Sequence, residues 1–149
     1  MTFQSHIDGS KHVLTPERSI EIQADLLGAD ISMQFDECTE FPSTHDQAAR
    51  SMELSLRWGA RSLKAFGERE NQTLFAIIQG STFESLRRMS AEASVAEAEA
   101  GGYGGFAIGG LAVGEGHEAM CETLDFTVPH LPTARPRYLM GVGKPIDSK

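Results

Sequence analysis

The sequence predicts an α/β fold built on a parallel sheet. Three observations carry that prediction. Apolar runs at 31–35, 74–78, 106–108 and 138–140 have strand character. Helical segments with capping signals separate them. Each run stops at a polar or glycine-rich segment, as strands do where α/β folds place their ligand-binding loops. Helix–strand alternation gives parallel strands with right-handed crossovers. An open doubly wound sheet and an arc of a barrel both satisfy this pattern. At 149 residues the chain has the length of one domain but is short of the about 250 residues of a complete (β/α)8 barrel.

The elements follow in order. Phe3–Val13 reads as a hairpin, with Asp8-Gly9 as a two-residue turn because both tolerate positive φ. His6 and His12 flank it, a weak metal pair beside the plainer reading of a polar hairpin. Thr15-Pro16-Glu17 starts a helix, with Thr as N-cap, Pro at the first helical position and an acid in the first turn. It is predicted to run to Leu27 with Ile20, Ala24 and Leu27 on one face, and to stop at Gly28. Ile31–Phe35 alternates as a half-buried strand does and ends at Asp36-Glu37-Cys38-Thr39.

Thr44-His45-Asp46-Gln47 is a capping box opening a long helix. Ala49, Met52, Leu56, Gly59, Leu63 and Phe66 form its apolar stripe. Arg50, Glu53, Arg57, Arg61 and Lys64 lie off that stripe, a solvated face that could alternatively touch phosphate. Leu74–Ile78 is continuously apolar, as a parallel strand covered on both faces is, and ends in Gln79-Gly80-Ser81. Ser81-x-x-Glu84 reads as the next capping box, before a helix carrying Leu86, Met89 and Ala93. Gly101–Gly105 is too rich in glycine to stay helical. Phe106–Ile108 is a short strand ending in Gly109–Gly116. A further helix carries Met120, Cys121 and Leu124. Pro129, Pro132 and Pro136 mark a loop, and Tyr138–Met140 is the last strand.

Composition narrows the function. With 21 acids against 13 bases the net charge is −8, so bulk electrostatics does not favour nucleic acid and any RNA contact must be local. Cys38 and Cys121 form no C-x-x-C pair, so no structural zinc is predicted within the chain and a reducing compartment is expected. No apolar run reaches the roughly 18 residues of a membrane span, and no signal segment opens the chain. The expectation is a soluble, cytoplasmic protein.

The strand ends carry the candidate chemistry. They offer Asp36, Gln79, the backbone of Gly109–Gly114, and Met140–Lys144. An ionised carboxylate only accepts hydrogen bonds, a Gln amide donates and accepts, and glycine leaves its N–H and C=O unobstructed. Together they complement a flat heterocycle such as guanine, whose N1–H and amino group suit a carboxylate and whose O6 suits an amide donor. Met140 could cover a ring face. The same spacing fits three unrelated loops equally well. The Walker phosphate pattern fails, because Gly143-Lys144 is followed by Pro145 and Tyr138 stands at the first glycine position.

At these residues the chain resembles a family. Ser5–His12, Phe35–Thr39, Ile78–Ser81, Gly109–Glu115 and Tyr138–Pro145 look like the middle of a bacterial-type tRNA-guanine transglycosylase, in family order and over nearly the whole length. The resemblance implies a (β/α)8 barrel with a zinc-binding insertion. It implies an enzyme of queuosine synthesis that exchanges guanine for pre-queuosine-1 at the tRNA wobble position. Carried over, Asp36 reads the Watson–Crick edge of the base. Gln79 and the Gly110 backbone hold its carbonyl side. Leu111 and Glu115 discriminate the aminomethyl substituent, and Met140 lines the pocket with Cys38 and Val113. Val113 resembles the form that takes pre-queuosine-1; enzymes taking bulkier queuine have glycine there. Gly141, Val142, Gly143, Lys144, Pro145, Ile146 and Asp147 match a segment that lies along the tRNA.

The resemblance also predicts what is missing. The family's general-base aspartate falls before this stretch, and its nucleophilic aspartate and the cysteines and histidine that bind zinc fall after it. Residues 1–149 are therefore expected to form an incomplete barrel domain of about four parallel strands alternating with helices plus an N-terminal hairpin. No catalytic residue, metal ligand or cofactor is expected in it, and it is expected to be inactive alone. Open sheet edges are expected to permit self-association or pairing with a full-length homologue. A small heterocycle-binding α/β module unrelated to tRNA is the remaining alternative.

Overall fold

The computed structural model describes residues 1–142. In chain order the elements are β1 (Thr2–Gln4), β2 (Lys11–Val13), α1 (Pro16–Ile20, continued by a wider π-helical segment over Glu21–Leu26), β3 (Ile31–Met33), α2 (His45–Phe66), β4 (Thr73–Ile78), α3 (Glu84–Glu99), β5 (Gly105–Ile108), α4 (His117–Thr127) and β6 (Arg137–Leu139). β1 and β2 pair antiparallel. The other four strands form one parallel sheet in the order β3-β4-β5-β6.

That order settles the architecture. Each strand lies beside its sequence neighbour, so the sheet has no point at which the winding reverses. Leu74, Ala76, Ile78, Phe106 and Ile108 share one core with Ile20, Ala24, Phe66, Ala91, Ala98 and Met120, which come from all four helices. The helices thus cover one face of the sheet. This is an arc of a barrel, as the resemblance implied, and not a doubly wound sheet. The opposite face is lined by Phe75, Ile77 and Ala107, all buried. Gly105 lies opposite Phe75 in register, and a Cβ there would collide with the Phe75 ring.

Several expectations are corrected. The hairpin connection spans Ser5–Ser10, because Gln4 pairs with Lys11. Asp8 and Gly9 do turn the chain, but the Asp8 carboxylate accepts both the Ser10 N–H (3.1 Å) and its hydroxyl (2.8 Å), which holds a wider loop. Thr15 caps α1 as expected, accepting from the Arg18 N–H. Leu27, however, is 73 % exposed. The π-helical segment bonds each N–H one residue further back, as in Leu27 N–H to Ile22 O. This rotates later residues off the 3.6-period stripe.

β3 alternates in the opposite sense to the one predicted. Ser32 and Gln34 are buried, while Ile31 is 49 % exposed. Gln34 is satisfied there, its Oε1 accepting from the Tyr103 hydroxyl at 2.7 Å, whereas the buried Ser32 hydroxyl has no hydrogen-bond partner. On α2 the capping box is present, and Met52, Gly59 and Phe66 are buried. The centre of the buried stripe nevertheless runs through Ala48, Ser51, Ser55 and Ser62 rather than Ala49, Leu56 and Leu63. On α3 the buried face is Leu86, Arg87, Ser90, Ala91, Ser94 and Ala98, while Met89 and Ala93 are exposed. Ser81 does not cap that helix: the N-cap position is Phe83, without a side-chain bond. Ser81 instead sits at φ 50°, in a turn closed by Phe83 N–H to Gly80 O.

One contact links α1 to the sheet edge. Gln23 Oε1 accepts the Met33 N–H at 2.9 Å, and Gln23 Nε2 donates to the Met33 carbonyl at 3.0 Å.

Candidate functional site

The carboxyl ends of β3 and β4 bring the first two predicted residues together. Gln79 Nε2 donates to Asp36 Oδ2 at 2.7 Å. Gln79 is buried, and its Oε1 has no hydrogen-bond partner. Removal from water raises the Asp36 pKa above its ordinary 3.8, against the Gln79 amide donation, which lowers it. A carboxylate and an amide therefore face each other at neighbouring strand ends, with one buried acceptor still unused.

The β5 loop closes on the same amide. A Cβ on Gly109 would lie 2.9 Å from Gln79 Nε2 and 3.6 Å from Met140 Sδ. A Cβ on Gly110 would collide with Gln79 Oε1. Gly110 also has φ 66°, a conformation costly to other residues, so both space and backbone require glycine. Asp36, Gln79, Gly110 and Met140 thus share one rim. Cys38 joins them electrostatically. Partial burial and then the Asp36 charge raise its thiol pKa, while the Arg87 charge and the Gly110 N–H oppose that rise.

The other predicted residues lie differently. The Leu111 side chain is in the core. The Glu115 carboxylate turns back on its own loop, accepting the N–H groups of Ala112 (2.5 Å) and Val113 (2.9 Å). Partial burial opposes its charge, but the loop N–H groups outweigh that and hold its pKa below the ordinary range. Val113 is 37 % exposed. Gly141 is exposed beside Leu111 O, and Val142 packs against the core. Gly143, Lys144, Pro145, Ile146 and Asp147 lie outside the described residues.

Sequence reading missed the groups that hold the site in place. Two serine hydroxyls hold the backbone of Glu37, next to Asp36: Ser55 accepts the Glu37 N–H at 2.9 Å, and Ser51 donates to the Glu37 carbonyl at 3.1 Å. Ser62 accepts the Phe35 N–H at 3.1 Å. The usable signal was serine at helical spacing, 51, 55 and 62, on the helix that follows the β3 strand-end loop. Under the β4 and β5 loops lies Arg87, fully buried. It donates to the carbonyls of Ser81 (2.7 Å), Ile78 (2.9 Å), Gly109 (2.7 Å) and Gly110 (3.3 Å).

A cavity adjoins the rim between the 37–43 loop and α2, lined by Glu37, Cys38, Glu40, Arg50, Glu53 and Arg57 among others. It mixes carboxylates and guanidinium groups, so it presents no single charge to a ligand. Among the described residues no group of three or more His, Cys, Asp or Glu side chains could hold a metal ion. No helix among them is long and apolar enough to cross a membrane.

The queuine tRNA-ribosyltransferase family profile matches residues 1–148. The chain is 65 % identical over 147 residues to a queuine tRNA-ribosyltransferase of Caulobacter vibrioides, covering 99 % of this chain and 38 % of that protein. It is 59 % identical over 151 residues to the protein of the same name from Zymomonas mobilis, again over 99 % of this chain and 38 % of the relative. The Granulibacter bethesdensis protein is 58 % identical over 147 residues, covering 99 % and 37 %. The chain thus spans little more than a third of the length of these relatives. With the family profile matching residues 1–148, the chain belongs to the queuine tRNA-ribosyltransferase family.

Proposed function

We propose that this chain carries the base-recognition part of a tRNA-guanine transglycosylase site and binds guanine or pre-queuosine-1. The observation that carries the proposal is the 2.7 Å bond between Asp36 and Gln79 at adjacent strand ends, with the buried Gln79 Oε1 left unpaired. A buried polar atom without a partner is costly; the unpaired Oε1 suits a ligand N–H, and the second hydrogen of Gln79 Nε2 remains for a carbonyl of the base. Asp36 takes the N1–H and amino edge. Gln79 and the Gly110 backbone take the carbonyl edge. Met140 covers the ring, with Cys38 beside it. Leu111 acts through its backbone and, with Glu115, meets the aminomethyl group. Val113 restricts the pocket to pre-queuosine-1 over the bulkier queuine.

The segment Gly141–Asp147 lies along the tRNA in this reading, a local contact compatible with the acidic chain. Base exchange needs a nucleophile at the ribose carbon. The resemblance gives that role to no residue of this stretch, so taken by itself it recognises the base without exchanging it.

Calorimetric titration with guanine tests the proposal. Saturable binding is expected, and Asp36→Asn should abolish it, because the amide presents a donor to the base's own donors. Unchanged binding by Asp36→Asn would refute the pocket. Incorporation of labelled guanine into tRNA by residues 1–149 alone would refute the restriction to recognition.

A further inference from the structure

We infer that Arg87 is a positioning residue for the base site, joining the β4 and β5 loops into one rim and setting a positive charge beneath it. The inference rests on the base-pocket reading for its function but on separate geometry for its structure. Arg87 is fully buried. Burial lowers its pKa, opposed by the Cys38 and Glu115 charges, to about 10, so it remains ionised near neutral pH.

A buried cation normally requires a carboxylate partner. Here its hydrogen-bond partners are four backbone carbonyls: Ile78 and Ser81 from the β4 side, Gly109 and Gly110 from the β5 side. They bracket Gln79 and include Gly110, two residues that the proposed pocket uses. The planar guanidinium fork can serve several diverging acceptors at once; an ammonium cannot reproduce that geometry. With these carbonyls turned down to Arg87, the Gly110 N–H is free to face Cys38 and the rim, consistent with its effect on the thiol. Ser90 completes the support by accepting the Gln79 N–H at 3.1 Å.

The test compares Arg87→Lys and Arg87→Met in a Cys121→Ser background, so that Cys38 is the only thiol. Three readouts are taken: guanine affinity by calorimetry, the pH profile of Cys38 alkylation by iodoacetamide, and amide hydrogen exchange at 78–81 and 109–111. Arg87→Lys is expected to keep the fold and lose about tenfold in guanine affinity, the effect of one charge-assisted hydrogen bond. Exchange should accelerate at the two loops while α2 stays protected. Arg87→Met should in addition move Cys38 alkylation to higher pH, which loosened packing alone would not do. Unchanged loop exchange in the folded Arg87→Lys variant would overturn the inference, as would an unmoved Cys38 profile in a folded Arg87→Met variant. If the parent chain does not bind guanine, the base-pocket reading fails on its own, and the exchange and alkylation results still decide the role of Arg87.

Discussion

Replacing Ser55 with Ala should cost more than replacing Ser51, although both serines bond the backbone of Glu37. Ser55 Oγ is the partner of the Glu37 N–H at 2.9 Å and a distant second donor to its carbonyl at 3.4 Å. Ser51 serves the carbonyl at 3.1 Å. Ser55→Ala orphans an N–H, a loss of about 1–3 kcal/mol when no water substitutes. The Glu37 side chain is exposed, which brings water near and places the effect toward the lower end. Alanine returns about 0.5 kcal/mol through its helix propensity. The net loss is about 1 kcal/mol, or about 2–4 °C in melting temperature for a chain of this size. Ser51→Ala leaves a carbonyl that Ser55 still reaches, so the helix-propensity gain brings its net cost close to zero. Urea unfolding at constant m-value measures both, and guanine affinity should fall only in Ser55→Ala. Equal losses, or a larger loss for Ser51→Ala, would refute the assignment of the N–H bond to Ser55.

Two further predictions concern packing and protons. A Cβ on Gly59 would lie 2.6 Å from the Tyr103 hydroxyl and 2.7 Å from Gln34 Oε1, so Gly59→Ala should destabilise by about 1–3 kcal/mol through overpacking; a neutral thermal melt would contradict the close approach of α2 to β3. Burial raises Asp36 above 3.8, so the folded chain binds this proton more readily than the unfolded chain. This group therefore adds stability as pH falls from above its folded pKa toward 3.8, while guanine affinity disappears over the same interval. Titrations from roughly pH 7 to pH 4 check this, and a flat affinity profile would remove Asp36 from the reading.

The order of elements was legible because it depends on strong local signals. The Thr44 capping box, the apolar run through β4 and the glycines after β5 each have one physical meaning. Element faces were less legible, for a common reason. Hydropathy marks a residue as inward when it is apolar, yet the inward residues here include Ser32, Gln34, Ser51, Ser55, Ser62, Arg87, Ser90 and Ser94. Some of their partners come from distant segments: Gln34 meets Tyr103, and Arg87 meets the β5 loop. No window of one sequence contains those pairs. Leu27 was misplaced because one altered hydrogen-bond step breaks the period on which the face was read. The gathering of Asp36, Gln79 and Gly110 could be anticipated from strand ends, because parallel strands put all such ends at one rim. Of the groups that hold that rim together, only the serines of α2 left a signal in their spacing, and Arg87 left none.

Gln23 has a consequence for assembly. Its carboxamide offers Met33 one donor and one acceptor, as the peptide of an adjoining strand would. A foreign strand seeking to extend the sheet at β3 must first evict that side chain and restore both bonds itself. Recruitment of a neighbour there becomes a competition with an intramolecular ligand already in place. A short side chain at position 23 would leave the Met33 N–H and carbonyl open to such a strand.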